Sequence, residues 1–323
     1  MARPIRHIPR DFSRRRLGAY LAVAVFLLAD IALIAYALDS AGSGATARAP
    51  RPVSSIAAEV SIVPTKTPTP ALESAAVMVV PPTRFLSAVD DVVAWRAVTG
   101  ECPATPAAPE LTTNSGTTWS AKDATSPTEV TAVQSLSATS ASIVAMVGLA
   151  GSNCSPQFVK TFVAGDTFEA YPDQLADVWF VDPADRATVH SPSGDVEAPC
   201  DSVIIVAVRD NASAAALCSE GRVFSTTDSG TTWSSPTTIA GLVNLSATDE
   251  GYIAAAFGAS DCAGVQLRAL SMDLTTNRLG CYPTTALPSA LVGNVTLSDG
   301  DGTLWLWVGD MLVRSRDGGV NWE

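Results

Sequence analysis

Lysine is almost missing from this chain of 323 residues: Lys66, Lys122 and Lys160 are all it has. Histidine is rarer still, with His7 and His190. A Ser-His-Asp site would have one available base in the body of the chain, His190, with no G-x-S-x-G segment to go with it; H-E-x-x-H and P-loop motifs are missing too. The cysteines form no C-x-x-C pair, so a zinc site lacks ligands at the right spacing. Basic residues are outnumbered, 20 against 32 acids, for a net charge of −12. Six of the arginines precede residue 17, and Asp11 and Asp30 are the only acids before residue 39, so the remainder is more acidic than the whole. Such a body repels nucleic acid and anionic lipid, and no nucleic-acid partner is expected. No segment after residue 38 has helical periodicity, and none carries a cofactor motif.

What is present divides the chain into four parts. Residues 1–16 form a basic tail holding Arg3, Arg6, Arg10, Arg14, Arg15 and Arg16. Residues 17–38 are almost wholly apolar and, as a helix, would span about 33 Å, enough for a bilayer core. The basic flank stays inside, so the expected topology is a single-pass signal anchor at the cell membrane, N-terminus cytoplasmic and the rest extracytoplasmic. Asp30 within the span is either a contact with a partner helix or locally hydrated. A competing reading takes Ser13-Arg14-Arg15-Arg16-Leu17 as a twin-arginine export signal with Ala35-Tyr36-Ala37 at its cleavage site. Residues 39–73 are rich in Ala, Pro and Thr, cannot bury a core, and read as a disordered linker. Residues 74–323 are the folded body. Its first apolar run, 75–80, is a candidate outer strand for the last sheet.

The body is punctuated by one turn. Thr226-Thr227-Asp228-Ser229-Gly230-Thr231-Thr232-Trp233 has close copies in Thr112-Thr113-Asn114-Ser115-Gly116-Thr117-Thr118-Trp119 and Ser315-Arg316-Asp317-Gly318-Gly319-Val320-Asn321-Trp322. The Asp or Asn side chain accepts hydrogen bonds from nearby backbone N–H groups, Gly takes a positive φ, and the Trp covers the hairpin. Weaker copies start at Thr161, Ser191 and Ser271, giving spacings of 49, 30, 35, 45 and 44. Propeller repeats run at roughly 40–50 residues. Between the turns, alternating and continuous apolar runs, such as Val203–Val208 with Ala214–Leu217, read as strands. The expected fold is all-β: a β-propeller of about six blades, with five or seven left open by the two short spacings, behind one transmembrane helix and a linker.

The turn resembles the Asp box, S-x-D-x-G-x-T-W, of sialidase-like β-propellers built from BNR repeats. The resemblance covers residues from about 85 to 323. It implies that the box joins the third and fourth strands of each blade, on the face away from the ligand. Thr112, Asn114, Gly116, Trp119, Thr226, Asp228, Gly230, Trp233, Ser315, Asp317, Gly319 and Trp322 are then structural residues.

The six cysteines are all in the body. Cys102, Cys154, Cys218 and Cys262 lie 10, 7, 8 and 9 residues upstream of their boxes, at the loop between second and third strands. Six cysteines allow fifteen connectivities. The favoured set is Cys200–Cys218 across one hairpin, then Cys262–Cys281, then Cys102–Cys154 between neighbouring blades, which fits an oxidising compartment.

Sialidase chemistry would need an arginine triad, a Tyr nucleophile paired with Glu, and an Asp acid/base. The family's Phe-Arg-Ile-Pro segment is missing, and Arg84-Phe85-Leu86 does not replace it. Tyr171, Tyr252 and Tyr282 are the only tyrosines outside the apolar segment, and Tyr252 reads as core. The paired acids Asp90-Asp91, Asp182 with Asp185, and Asp299 with Asp301 read as turn acids. No catalytic, cofactor or metal residue is therefore assigned. The expected function is a non-catalytic binding or scaffolding module for an envelope protein or glycan; the alternative is a sialidase-like glycoside hydrolase.

Overall fold

A computed structural model describes residues 79–323. The basic tail, the apolar run 17–38, the linker 39–73 and residues 74–78 lie outside the described residues. Among the described residues no helix is long and apolar enough to cross a membrane.

The body is a six-bladed β-propeller of antiparallel sheets taken in chain order. Blade one holds β1 (Arg84–Ala88), β2 (Ala94–Val98), β3 (Glu110–Thr112) and β4 (Ser120–Ala121). Blade two holds β5 (Val130–Ala138), β6 (Val144–Ala150), β7 (Ser155–Thr161) and β8 (Glu169–Ala170). Blade three has only β9 (Phe180–Asp182), β10 (Asp185–Ser191) and β11 (Gly194–Glu197). Blade four holds β12 (Val203–Val208), β13 (Ala214–Cys218), β14 (Arg222–Thr226) and β15 (Thr237–Thr238). Blade five holds β16 (Leu242–Ala247), β17 (Tyr252–Ala256), β18 (Gly264–Leu270) and β19 (Thr276–Pro283). Blade six ends the described chain with β20 (Val295–Gly300), β21 (Thr303–Val308) and β22 (Met311–Ser315).

The core is not central. Its six apolar clusters are the six seams between neighbouring blades. This explains the continuous apolar second strands. Every residue of β13, β17 and β21 is buried, because each sheet is covered on both faces by its neighbours. The runs of alanine in β13 and β17 let flat sheets approach closely; tryptophans fill the wider seams.

Those tryptophans act alike. The buried ring of Trp95 sends its indole N–H to Ser140 O (3.2 Å) in the next blade's first turn. Trp179 does the same to Asp210 O (3.1 Å), and Trp305 to Asp90 O (2.9 Å). Each buries a large apolar ring and satisfies its one donor across the seam. Trp179 therefore marks β9 as the equivalent of a second strand, and blade three lacks a first.

Blade six closes on blade one through side chains. Arg84 and Arg96 both lie over the Trp307 ring, at 4.5 and 4.8 Å, and Arg96 also faces Trp119 at 4.1 Å. Arg314 covers Trp305 at 5.3 Å and donates to Asp91 O. Ala88 N donates to Ser298 Oγ and Thr83 N to Gly293 O.

The run 75–80 does not complete blade six where it is described. Val79 and Val80 are not in a strand. Val79 lies 4.0 Å from a Cβ built on Gly221 of blade four, and Val80 and Pro81 pass Gly293 ahead of blade six. An apolar run carries no record of which apolar surface covers it, and this one crosses the face beside the channel. The outer edge of β22 is met instead by Glu323, which exchanges both backbone hydrogen bonds with Arg314.

Replacing Trp305 by Ala is expected to lower unfolding free energy by about 3–5 kcal/mol, as for a large buried aromatic. Trp305→Phe, which keeps most of the ring and drops the bond to Asp90, should lose about 1 kcal/mol. Urea unfolding measures both; a loss under about 1 kcal/mol for the Ala variant would mean that the closing seam does not limit stability.

Candidate functional site

The repeated turns all follow third strands, counted as in the four-stranded blades. Thr112, Thr161, Ser191, Thr226 and Ser315 are the last residues of their strands, and Ser271 follows β18 directly. In the clearest case Thr226 Oγ1 donates to Asp228 Oδ1 (2.8 Å) and accepts from Gly230 N (3.0 Å). Asp228 in turn accepts from Thr232 N (2.9 Å) and Thr232 Oγ1 (2.6 Å). Ser315, Asp317, Gly319 and Asn321 repeat this network, as do Thr112, Asn114, Gly116 and Thr118.

Glycine is required at the fifth position for two reasons. Gly116, Gly230 and Gly319 have φ of 79°, 82° and 85°. A Cβ there would also meet the preceding blade: Leu312 and Trp305 at Gly116, Val196 at Gly230, Leu267 at Gly319. The closing Trp does not float in solvent. Trp233 donates to Glu197 O of blade three (3.3 Å) and Trp322 to Cys281 O of blade five (3.1 Å); Trp119 donates to its own Gly116 O (3.1 Å). In blade two Val163 replaces the Asp, Thr161 Oγ1 alone gathers the N–H of Val163 and Gly165, and Phe162 stands half exposed.

Three disulfides join Cys102–Cys154, Cys200–Cys218 and Cys262–Cys281, the set favoured by spacing. Each lies at or beside a loop between second and third strands, on the face opposite the Trp-terminated turns. Among the described residues the one close group of metal-type ligands is Cys200, Cys218 and Glu220, and its two sulfurs are bonded to each other.

The central channel holds a cavity of about 460 Å³. Its wall is mostly small or aliphatic, with the acids Asp177 and Asp299 and the arginines Arg186 and Arg209. Asp299 accepts from Gly302 N (3.1 Å); burial, then the nearby Asp249 and Asp301, hold its carboxyl above the ordinary value. Arg186 Nη1 donates to Val203 O (3.0 Å), and burial holds its guanidinium below the usual range against the pull of Asp182. Arg209 donates to the carbonyls of Thr248 and Asp249. Asn244 is buried on the wall with neither side-chain polar atom partnered among the described residues.

The other titratable candidates are dispersed. Asp90 accepts from Val92 N and Val93 N, both at 2.7 Å, Asp182 from Ala184 N and Asp185 from Ala187 N: they hold their own turns. Asp91 pairs with Arg316 at 3.0 Å. Tyr252 is wedged between blades four and five, and burial pushes its phenol up to about 12. A Tyr–Glu pair does exist, Tyr171 donating to Glu169 at 2.9 Å. It stands at the rim beside β8, and its hydrogen bond to a carboxylate raises the phenol's pKa, opposite to what a nucleophile needs. His190 faces Asp195 and Leu175 O, not a serine.

No protein-family description matches the chain, and no curated protein does. Solved structures that match it include YCF48 bound to D1 peptide, 18% identical over 79% of this chain and 85% of that one, TM-score 0.29. SapL1 lectin in complex with alpha methyl fucoside is 9% identical over 77% and 96%, TM-score 0.45. The GH74 enzyme of Niastella koreensis is 13% identical over 74% of this chain but 37% of its own length, TM-score 0.30. At these identities the likeness concerns the fold.

Asp317 is held well below the ordinary carboxylate range, at about 2, first by the Asn321 N–H and then by the Asn321 side chain and Ser315. A depressed folded pKa gives stability that is present above the unfolded value of about 3.9 and lost as pH falls through the folded one. The stability gap between the wild type and Asp317→Ala is therefore expected to be constant above about pH 5 and to shrink between about pH 4 and 2. Denaturant midpoints across that range check it; a gap independent of pH would show that the carboxylate's charge is not what holds the turn.

Proposed function

We propose that this protein is an extracytoplasmic β-propeller, tethered by residues 17–38, that binds another component of the cell envelope, protein or glycan, without catalysing a reaction. Its Trp-terminated turns are then Asp boxes of the sialidase-like, BNR type. The observation that carries the reading is the fate of the carboxylates. Asp90, Asp182, Asp210, Asp228, Asp299 and Asp317 each accept a backbone N–H of their own turn. Glycoside hydrolysis needs two carboxylates free to act across a cleft. These side chains are engaged in shaping hairpins, and the one Tyr–Glu pair is at the rim. Three disulfides support an oxidising compartment, and they brace the loops of one face into a rigid surface.

Two measurements test this. The full chain in detergent is expected to leave fluorogenic glycosides, a sialoside among them, uncleaved while co-sedimenting with isolated cell-wall material or a purified envelope protein. In intact cells, protease added outside should digest the body. Turnover of a glycoside that survives repurification would establish the hydrolase reading, and digestion only after lysis would refute the topology.

A further inference from the structure

The channel is not symmetric. Blades one, four, five and six line it with their first strand, and blade four adds Arg209 and Asn211 of the turn that follows. Blade two also contributes Ala145 and Met146 of β6 and Phe158 of β7. The reason is the missing first strand of blade three: β9 stands in the inner ring in its place, and the cavity spreads sideways between blades two and three. The walls of this side chamber are Ala145, Met146, Phe158 and Phe180. They are apolar, and the volume of about 460 Å³ is that of a small-molecule site.

Charge is distributed unevenly as well. Residues 79–323 contain nine arginines in a body where acids are in excess. Arg84, Arg96, Arg222, Arg278, Arg314 and Arg316 each have a carboxylate partner. Of the three without one, Arg186, Arg209 and Arg268, the first two line the cavity. Arg209 is engaged by carbonyls and by Met272. Arg186 is not: Nη1 reaches Val203 O and Ile204 O, and its other N–H groups have no partner among the described residues. Those two carbonyls open β12, at the channel end away from the Trp-terminated turns. Asn244, the third residue of β16, belongs to the same end and offers an unpartnered amide. Of the two cavity acids, Asp299 belongs to the other end, as the penultimate residue of β20, and Asp177 closes the short helical turn that leads into β9. A half-buried guanidinium with free donors, a buried amide without partners and an apolar chamber share one cavity.

We infer that this cavity is a binding site for a small organic anion, a carboxylate or phosphate monoester on an aromatic or branched aliphatic body. The planar fork of Arg186 takes the oxyanion, Asn244 supplies a further donor, and the side chamber takes the body. Recognition is by binding alone, and it is independent of which macromolecule the exposed faces engage. Pro81 and Pro82 stand at the wall of the same cavity, so the lead into blade one borders the ligand's path.

Calorimetric titration of the full chain in detergent tests it with three probes of one shape: phenylacetate, phenyl phosphate and the neutral phenylacetamide. At least one anion is expected to bind about tenfold or more tightly than the amide, the preference lost in Arg186→Gln. The stronger of the two anions identifies the head group. Ala145→Phe fills the side chamber without touching Arg186 and should abolish binding of all three; it also decides the matter if Arg186→Gln does not fold. Equal affinity for acid and amide, no binding of either anion, or undiminished binding in Ala145→Phe would each overturn the site and leave the cavity to water.

Discussion

The ring depends on how its ends meet. Among the described residues, blade one and blade six are each built from one continuous segment, and neither lends a strand to the other. No ladder of backbone hydrogen bonds therefore crosses this seam. What crosses it is a stack of flat side chains, with Arg84 and Arg96 over Trp307, Arg96 also against Trp119, and Arg314 over Trp305. Such contacts gain strength when desolvated, and Trp305 and Trp307 are buried. Backbone bonds from Thr83 and Ala88 fix the register. Every other seam joins blades already consecutive in the chain, where the connection itself limits separation. This one has only its contacts.

Two other seams share the indole bond of the closing one, Trp95 reaching Ser140 O and Trp179 reaching Asp210 O. At the seams into blades four and six an aliphatic side chain of the preceding blade, Val196 or Leu267, lies against a glycine of the repeated turn, Gly230 or Gly319, which makes room for it. The turn thus does more than reverse the chain. Its Ser or Thr and Asp fix the loop, its Gly admits the neighbour, and in blades four and six its Trp returns a hydrogen bond to the preceding blade. Sequence adjacency and blade adjacency are coupled at that one loop.

This coupling explains what could be read in advance. The turn's hydrogen bonds run between residues two and four apart, so the motif is written within one short segment. Six such segments stand at six strand ends, even where Val163 or Ser191 erodes the pattern. Cys200–Cys218 and Cys262–Cys281 were legible because each brackets local structure, and the third pair followed from them. The inter-blade partners of Trp95, Trp179 and Trp305 were not legible, because each lies in the next blade. Nor was the absence of a first strand in blade three: a short spacing of 30 or 35 residues shows that something is missing, not which strand. The side chamber, the cavity arginines and the path of Val79–Pro82 all follow from that kind of long-range placement.

The scarcity of lysine takes on a physical meaning at the seams. At the closing seam a cation must lie flat on an indole while its N–H groups reach a carbonyl or carboxylate in the plane. Arg96 does this between Trp119 and Trp307 while donating to Glu110 at 2.6 Å, and Arg314 does it over Trp305 while donating to Asp91 O. A guanidinium is planar and weakly hydrated, so stacking and in-plane hydrogen bonding are compatible; an ammonium is a compact, strongly hydrated point charge that satisfies one at the expense of the other. The two lysines of the described body each meet only one of these demands, Lys122 donating to the exposed Asp166 and Lys160 lying over the exposed Phe162 ring. An Arg to Lys exchange that preserves net charge is thus not conservative in this ring. Where a guanidinium has no carboxylate within ion-pair distance, as at Arg186, its plane is still put to use: Nη1 donates to the carbonyls of Val203 and Ile204 while the side chain lines the channel.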